Sequence, residues 1–213
     1  RLIGRGLIKI FGGNIHFFGI GGAALAEDVE FFLREARFPY AIGYGLTETA
    51  PLIAGCGPTL TRFRSTGPAL PGVTVKIDNP DPETGEGEIL VGGPNVMQGY
   101  FKDEDKTAEV ITTDGWFRTG DLGMLDQDGY LYIRGRLKNM ILGPSGENIY
   151  PEEIEALINE YDFVNESLVV EQEGRLVALV NIDYESLKDH MRDVAESAVD
   201  ISKQANEYLA QLK

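Results

Sequence analysis

The stretch DGWFRTGDLGMLDQDGYLYIRGRLKNMILGPSGENIYPEEIE, residues 114–155, decides how the rest of the chain is interpreted. Its first part places Asp121 directly after a glycine, where an acceptor-only carboxylate on a turn can take two hydrogen bonds from a diol. Residues 126–129 (DQDG) are typical of a turn, and the alternating residues 130–133 (YLYI) predict a strand. That strand runs into Arg136 and Lys138, after which the composition changes.

Length and charge limit the classes of protein to which the chain can belong. Its 213 residues suffice for one large or two ordinary domains, and 43% of them are hydrophobic, so a core is available. Lys and Arg total 19 against 34 Asp and Glu, and the net charge of −15 disfavours attraction to nucleic acid or anionic lipid. Residues 1–138 carry −4 of this charge and residues 139–213 carry −11. The change in charge predicts a domain boundary near Lys138.

Cysteine content and hydropathy indicate the compartment. Cys56 is the single cysteine, so no intrachain disulfide forms and nothing suggests an oxidising environment. No apolar run approaches the roughly 20 residues that a transmembrane helix needs. No signal peptide is recognised and the chain begins with Arg1, so we expect a piece of a longer, cytoplasmic protein.

The first 45 residues predict a strand, a helix and a second strand. Residues 14–19 form the first strand, the helix ends before Pro39, and residues 40–44 form the second, which implies parallel pairing with a right-handed crossover. Residues 19–24 (GIGGAA) match the dinucleotide-binding fingerprint GxGxxA. The second strand ends without the acidic residue that would hold a ribose, so a dinucleotide site is disfavoured.

The next segment, GYGLTET (43–49), carries candidate binding residues. Tyr44 lies between glycines and can expose a ring face to a base, an interaction worth about 1–3 kcal/mol. Thr47 offers a hydroxyl to a phosphate, and Glu48 offers a hard oxygen to Mg²⁺. The same Thr-Glu-Thr run is equally compatible with a capping segment at a helix start, and the residues alone leave both alternatives open.

The segment from Arg64 to Arg136 is predicted to be rich in short strands. Between Arg64 and Arg136, short strands such as 73–77 and 88–91 alternate with Gly- and Pro-containing turns, and residues 102–106 are interpreted as a charged turn.

Beyond Asn139, a helix begins at Pro151 with Ile154, Leu157 and Ile158 on its buried side. Strands are predicted over 168–170 and 176–182, and residues 194–212 repeat as an amphipathic helix that packs on its own sheet rather than as a coiled coil.

Taken together, these motifs resemble the adenylate-forming superfamily of acyl-CoA synthetases, peptide-synthetase adenylation domains and luciferases. The resemblance covers nearly the whole chain, and its residues are YGLTE (44–48), GEILVGGPNVMQGY (87–100), TGD (119–121), GR (135–136) and GENIYPEEIE (146–155). Within the superfamily the chain is most similar to bacterial long-chain fatty-acid–CoA ligases. A peptide-synthetase adenylation domain is less similar because no carrier domain follows.

The resemblance implies a fold of α/β and β type. Residues 1–138 would be the C-terminal part of a large AMP-binding domain, with a partial parallel α/β subdomain over 1–63 and a small distorted β-barrel over 64–138. Residues 139–213 would be an incomplete, mobile C-terminal α+β domain.

The resemblance also implies chemistry: Mg²⁺ and ATP activate a fatty acid to an acyl-adenylate, and coenzyme A then takes the acyl group as a thioester. Fatty acid, ATP and coenzyme A would be the partners, whereas peripheral membrane contact of the full-length protein and a homodimer through exposed surfaces are left open.

The implied site residues are distributed along the chain. Thr47, Glu48 and Lys138 are implied to be catalytic, with the α-phosphate at Thr47, the metal at Glu48 and the interdomain hinge at Lys138. The remaining implied residues bind nucleotide, acyl group or thiol: Gly21, Gly22 and Ala23 by bare backbone, Tyr44 and Gly45 at the adenine, Asp121 at the ribose hydroxyls, Arg136 at the ribose or phosphate, and Gly146 at the thiol tunnel. Without the resemblance, Asp121 is equally a turn cap and Arg136 a surface ion pair.

Two parts of the family pattern are missing from residues 1–213: the phosphate loop with its lysine, and the C-terminal lysine. We therefore expect these residues alone not to form acyl-CoA, the more so because a charge of −15 repels a triphosphate. Asn139 and Leu142 also depart from the pattern, which affects the details of thioester formation. The alternative function is a non-catalytic module that binds nucleotide or a partner, or an adenylation domain of another branch.

Overall fold

A computed structural model describes residues 2–143 and 148–192, with side chains from residue 4 onward. Its internal contacts divide the chain into two compact units, Arg1–Met140 and Ile141–Lys213. The division lies two residues beyond the boundary that the change in charge predicts. Each unit is described by itself.

The first unit begins with a helix that the sequence patterning did not predict, and the expected strand–helix–strand arrangement follows it. It contains helices α1 (Leu2–Ile10) and α2 (Glu27–Glu35) and strands β1 (Phe18–Ile20) and β2 (Tyr40–Ile42). Strands β1 and β2 are parallel, with Phe18 opposite Tyr40, so the predicted parallel pairing is confirmed. Both strands are shorter than predicted, because pairing starts only at Phe18 and ends at Ile42.

A short antiparallel pair follows, formed by β3 (Tyr44–Gly45) and β4 (Leu52–Ala54) around a 3-10 helix at Thr47–Thr49. The remainder of the unit is a five-stranded antiparallel sheet in the order β5 (Gly67–Pro68), β9 (Tyr130–Arg136), β8 (Phe117–Leu125), β7 (Gly87–Gly92) and β6 (Thr74–Asp78). The fold is therefore mixed α/β with many short strands, as predicted.

This five-stranded sheet is open, so the predicted small distorted β-barrel is wrong. Strand β5 pairs with β9, strand β6 pairs with β7, and no ladder joins β5 to β6 in the described part of the unit. The other side of the β5 segment is bonded to the β4 segment instead: Ala69 bridges Ala54, and the Gly55 N–H donates to the Pro68 carbonyl oxygen at 3.0 Å. Packing nevertheless centres on this sheet: Ile53, Ala54, Ile89, Val91 and Leu131 form the buried core.

Sequence patterning missed helix α3 (Glu104–Val110), whose first residues were interpreted as part of a charged turn. Asp103 caps this helix by accepting a hydrogen bond of 3.0 Å from the backbone N–H of Lys106. The helix buries none of its own residues, so it has no apolar periodicity to detect.

The second unit contains β10 (Ile141–Leu142) paired with β11 (Asn148–Ile149), helix α4 (Pro151–Asn159), and the hairpin of β12 (Val164–Gln172) and β13 (Arg175–Ile182). Pro151 occupies the first turn of α4, as predicted. Leu157 is 62% exposed, so its assignment to the buried side of α4 is wrong.

The hairpin turns at Glu173 and Gly174, both with positive φ, which matches the twist of a two-residue hairpin turn. Residues 184–192 are helical. The helix predicted over 194–212 lies outside the described residues. Of the helices in the described ranges, none combines the length and apolarity that a membrane crossing requires.

Candidate functional site

Asp121 lies within strand β8 and is 5% exposed, which corrects its predicted position on a turn. The preceding Gly120 has a φ of +70°, so the turn signal in the sequence marks an irregular strand residue instead. Across the sheet, Arg136 is the register partner of Asp121, and its Nε lies 2.9 Å from Asp121 Oδ1. The other oxygen, Oδ2, accepts a hydrogen bond of 2.6 Å from the Tyr44 hydroxyl.

The side chains of Tyr44, Asp121 and Arg136 form a charged cluster. Burial raises the pKa of Tyr44 far above its ordinary value, and the nearby Asp121 carboxylate raises it further. The phenol therefore stays protonated at neutral pH and acts as a donor to Asp121. Arg136 is half-exposed, with 54% of its side chain open to solvent, and supplies the compensating positive charge.

This geometry argues against a turn cap at Asp121 and against an exposed surface ion pair at Arg136. The Asp121 carboxylate contacts side chains 77 positions earlier and 15 positions later in the chain, so it does not act as a local turn cap. Because Asp121 is buried, its pairing with Arg136 is also not an exposed surface pair of the weak kind.

Tyr44 and Gly45 are held by the backbone around them. The Gly43 N–H donates to the Ile20 carbonyl oxygen at 2.8 Å, which connects β3 to the end of β1. A Cβ at Gly45 would overlap the carbonyl oxygen of Pro51, so no side chain fits there. Only glycine therefore allows β3 to approach β4 this closely.

The loop of Gly21, Gly22 and Ala23 follows β1 and is exposed. A Cβ at Gly21 would lie 3.3 Å from the Gly43 carbonyl oxygen, and Gly22 has a φ of +88°. The structure thus brings this loop beside the backbone that enters Tyr44.

Thr47 and Glu48 belong to the 3-10 helix between β3 and β4. Thr47 is exposed, whereas Glu48 is half-buried and accepts a hydrogen bond of 2.9 Å from the Tyr100 hydroxyl at Oε1. The capping role belongs to the buried Thr49, whose hydroxyl accepts from the Leu46 N–H at 3.1 Å. Capping therefore does not account for Thr47 and Glu48.

Glu48 is suited to a hard cation because one carboxylate oxygen is fixed by a neutral donor. In the described ranges, no cluster of three or more His, Cys, Asp or Glu side chains could hold a metal by itself. A cation at Glu48 would thus take its other ligands from a bound phosphate or from water.

For two predicted site residues no contact with this cluster is established. Lys138 lies in an exposed turn after β9, and Gly146 lies outside the described residues. Sequence reasoning also missed Tyr100 and Asn95 as contacts of the 47–49 helix, although both lie within the matched run 87–100.

Comparison with known proteins adds to this geometry. Residues 7–101 match a family described as AMP-binding enzyme. A long-chain-fatty-acid–CoA ligase of Mycobacterium bovis is 35% identical over 189 residues, which is 88% of this chain and 30% of that protein. A 2-succinylbenzoate–CoA ligase of Listeria monocytogenes is 38% identical over 172 residues, which is 78% of this chain and 35% of that protein.

Among solved structures, O-succinylbenzoate coenzyme A synthetase from Bacillus subtilis in complex with ATP and magnesium ion superimposes with a TM-score of 0.70 at 30% identity. The match covers 84% of this chain and 40% of that structure. The chain thus spans about a third of the length of these ligases.

Proposed function

The chain belongs to the family of AMP-binding, adenylate-forming enzymes, and on this premise we propose that the protein carrying it is an AMP-forming acid–thiol ligase. In the proposed reaction ATP activates a carboxylic acid to an acyl-adenylate, and coenzyme A then displaces AMP to give the thioester. The observation that carries the proposal is the buried Asp121 carboxylate, held between Arg136 and Tyr44.

Asp121 is proposed to bind the two ribose hydroxyls. A carboxylate is an acceptor-only group and therefore suits the two hydroxyl donors of a diol, and its contacts with Arg136 and Tyr44 hold it in place. The hydroxyl of Tyr44 is engaged by Asp121, and its aromatic ring is proposed to contact the adenine. The half-exposed Arg136 can reach the ribose or a phosphate while it balances Asp121.

Thr47 and Glu48 are proposed to act at the phosphates. The exposed Thr47 hydroxyl can donate to the α-phosphate, and Glu48 can hold Mg²⁺. Bound magnesium would neutralise negative charge on the phosphates. Gly21, Gly22 and Ala23 would approach nucleotide and acyl group with bare backbone, Lys138 would serve as hinge, and Gly146 would line the path of the thiol.

We further propose a long-chain fatty acid as the acyl substrate. The motif of residues 145–155 supports it, and so does the Mycobacterium relative, which matches 88% of this chain. Because the relatives also include 2-succinylbenzoate ligases, the two acids should be compared directly. The full-length protein should form palmitoyl-CoA faster than 2-succinylbenzoyl-CoA at equal acid concentrations, and the reverse order would overturn this substrate.

The test of the proposed function is AMP binding by the full-length protein and its Asp121→Ala variant. Removing the charged acceptor should weaken AMP binding about 10- to 100-fold, since hydrogen bonds to charged groups contribute roughly 1.5–3 kcal/mol. Asp105→Ala, which removes an exposed carboxylate of α3, is the matched control and should bind as the parent does. Equal AMP affinity in parent and Asp121→Ala would refute the site.

ATP–pyrophosphate exchange separates the enzyme from the alternative. A non-catalytic nucleotide-binding module would bind AMP in an Asp121-dependent manner without acid-dependent exchange. Exchange that depends on a fatty acid and is depressed by Glu48→Ala supports the ligase. It remains a prediction that the protein is cytoplasmic. Peripheral membrane contact and formation of a homodimer also remain predictions.

A further inference from the structure

A loop that is distant in sequence forms hydrogen bonds with the 3-10 helix that carries Glu48. We define the clamp loop as residues 93–100, which follow strand β7. The Met97 N–H donates to the Glu48 carbonyl oxygen at 2.8 Å. The Asn95 side-chain amide donates to the Thr49 carbonyl oxygen at 3.0 Å and to the Leu52 carbonyl oxygen at 3.1 Å. The backbone from Glu48 to Leu52 is therefore held by hydrogen bonds from outside this segment.

The last residue of the clamp loop reaches the side chain itself. The Tyr100 hydroxyl donates to Glu48 Oε1 at 2.9 Å, across 52 positions of sequence. Burial raises the pKa of Tyr100, and the hydrogen bond to Glu48 raises it further, so the phenol remains a donor at neutral pH. A neutral donor on one oxygen orients the carboxylate without cancelling its charge.

Tyr100 is in turn anchored to helix α3. Its backbone N–H donates to Thr107 Oγ1 at 2.9 Å, and the Thr107 hydroxyl contacts the Asp103 carbonyl oxygen at 2.7 Å. Gly99 has a φ of +151°, and a Cβ there would lie 2.7 Å from the Thr107 methyl group. The ring of Tyr100 thus projects toward Glu48 from a backbone held on both sides.

We propose that the clamp loop fixes the 47–49 helix and that Tyr100 is a positioning residue, which sets the direction in which the Glu48 carboxylate meets a divalent cation. This inference rests on the proposed function for its ligand, since it takes Glu48 as the site of magnesium. The contacts that carry it are independent of any ligand. Without the phenol the carboxylate is free to rotate about its terminal torsion, which is broad for a glutamate.

The test compares Tyr100→Phe with Tyr130→Phe in the full-length protein. Tyr130 is a suitable control because its hydroxyl also donates one hydrogen bond, of 3.0 Å, but to the Leu60 carbonyl oxygen. In Tyr100→Phe the half-saturating Mg²⁺ concentration for ATP binding, measured by equilibrium dialysis, should rise three- to tenfold. AMP binding without Mg²⁺ should not change in either variant, and Tyr130→Phe should keep the parent's Mg²⁺ requirement.

A double-mutant cycle with Glu48→Gln distinguishes positioning from general damage. If Tyr100 acts through Glu48, Tyr100→Phe should raise the Mg²⁺ requirement of the parent but not that of the Glu48→Gln protein. An equal rise in both backgrounds, or no rise in the parent, would overturn the proposal.

Amide hydrogen exchange tests the clamp without reference to nucleotide. The N–H groups of Thr49, Ala50 and Met97 make the hydrogen bonds of the helix and its clamp, and they should exchange at least threefold faster in Tyr100→Phe than in Tyr130→Phe. Unchanged exchange would refute the clamp. A parent protein that fails to bind ATP while these amides respond as expected would instead refute the proposed function and leave the clamp supported.

Discussion

Replacing Tyr44 by Phe removes one hydroxyl from the buried cluster and leaves the aromatic ring in place. The hydroxyl donates to Asp121 at 2.6 Å, and Asp121 is 5% exposed, so water cannot easily replace the lost donor. Hydrogen bonds to charged groups contribute roughly 1.5–3 kcal/mol, and a buried acceptor left with one partner fewer places the loss within this range. We therefore expect Tyr44→Phe to lower the free energy of unfolding of the first unit by about 2 kcal/mol.

Trp116 makes this change measurable. It is the single tryptophan of the chain and lies immediately before β8. Its ring lies close to Gly92, since a Cβ added to that glycine would be 3.2 Å from the ring. Its fluorescence during urea unfolding thus reports the sheet that carries Asp121 and not the second unit. Because the urea m-value of a small domain is about 1–3 kcal/mol per molar, the midpoint should fall by roughly 1 M.

Tyr132→Phe is the matched control for this measurement. Its hydroxyl also faces a carboxylate, Asp126, but at 3.4 Å, and that carboxylate keeps an ion pair of 2.6 Å with Arg62. The control should change the free energy of unfolding by less than about 0.5 kcal/mol, since a bond this long contributes little. A midpoint shift in Tyr44→Phe no larger than that of the control would show that the Tyr44–Asp121 bond does not stabilise the fold.

Three further predictions follow from the same unit. Because the folded pKa of Tyr44 is raised above the ordinary value of 10.0, its contribution to stability is complete below pH 10 and is lost above it, so urea midpoints should fall from pH 9 to 11 and fall less in Tyr44→Phe. Gly45→Ala would place a methyl group on a carbonyl oxygen and should cost at least 2 kcal/mol, by order of magnitude, whereas Gly57→Ala, with open space around it, should cost about 1 kcal/mol or less by thermal melting. Glu30 is 1% exposed and accepts a hydrogen bond of 2.8 Å from the Tyr40 hydroxyl. Glu30→Ala should lower the free energy of unfolding by about 3 kcal/mol, and Glu30→Gln should lower it less because it keeps an acceptor. Equal urea midpoints for the two variants would contradict this.

The fold was predictable where local chemistry determines it. The alternation of residues 130–133 and the turn before them predicted strand β9. Closure of a sheet depends on strands far apart in sequence, so the absence of a ladder between β5 and β6 could not be seen in local patterns. Helix α3 was missed because its residues pack no apolar face.

The candidate site was predictable as a set of residues but not as a geometry. Motif spacing identified Tyr44, Asp121 and Arg136 individually, whereas their mutual contacts required the fold. The Tyr44 hydroxyl has its partner 77 positions away, and no local rule places a phenol on a carboxylate at that separation. The contact between Tyr100 and Glu48 was hidden for the same reason, even though both residues lie in matched motifs.

The negative charge of the chain must be reconciled with the proposed binding of an anion. The net charge of −15 falls mainly on residues 139–213, and at physiological salt interactions between exposed charges are screened over about 8 Å. Within the first unit, Arg62 forms ion pairs with Asp126 and Asp128, and Arg118 forms ion pairs with Asp78 and Glu88. The positive charges of these two arginines are therefore balanced by neighbouring carboxylates.

Arg136 differs from these arginines in its partner. That partner, Asp121, is buried and is also held by a phenol, whereas the guanidinium is half-exposed, so its positive charge remains accessible from solvent. A nucleotide at this site would therefore meet a cation within contact distance while the chain's overall charge is screened. The attraction between a phosphate and Arg136 at contact distance is larger than the screened repulsion from distant acidic side chains. The acidic composition therefore does not argue against the proposed ATP site.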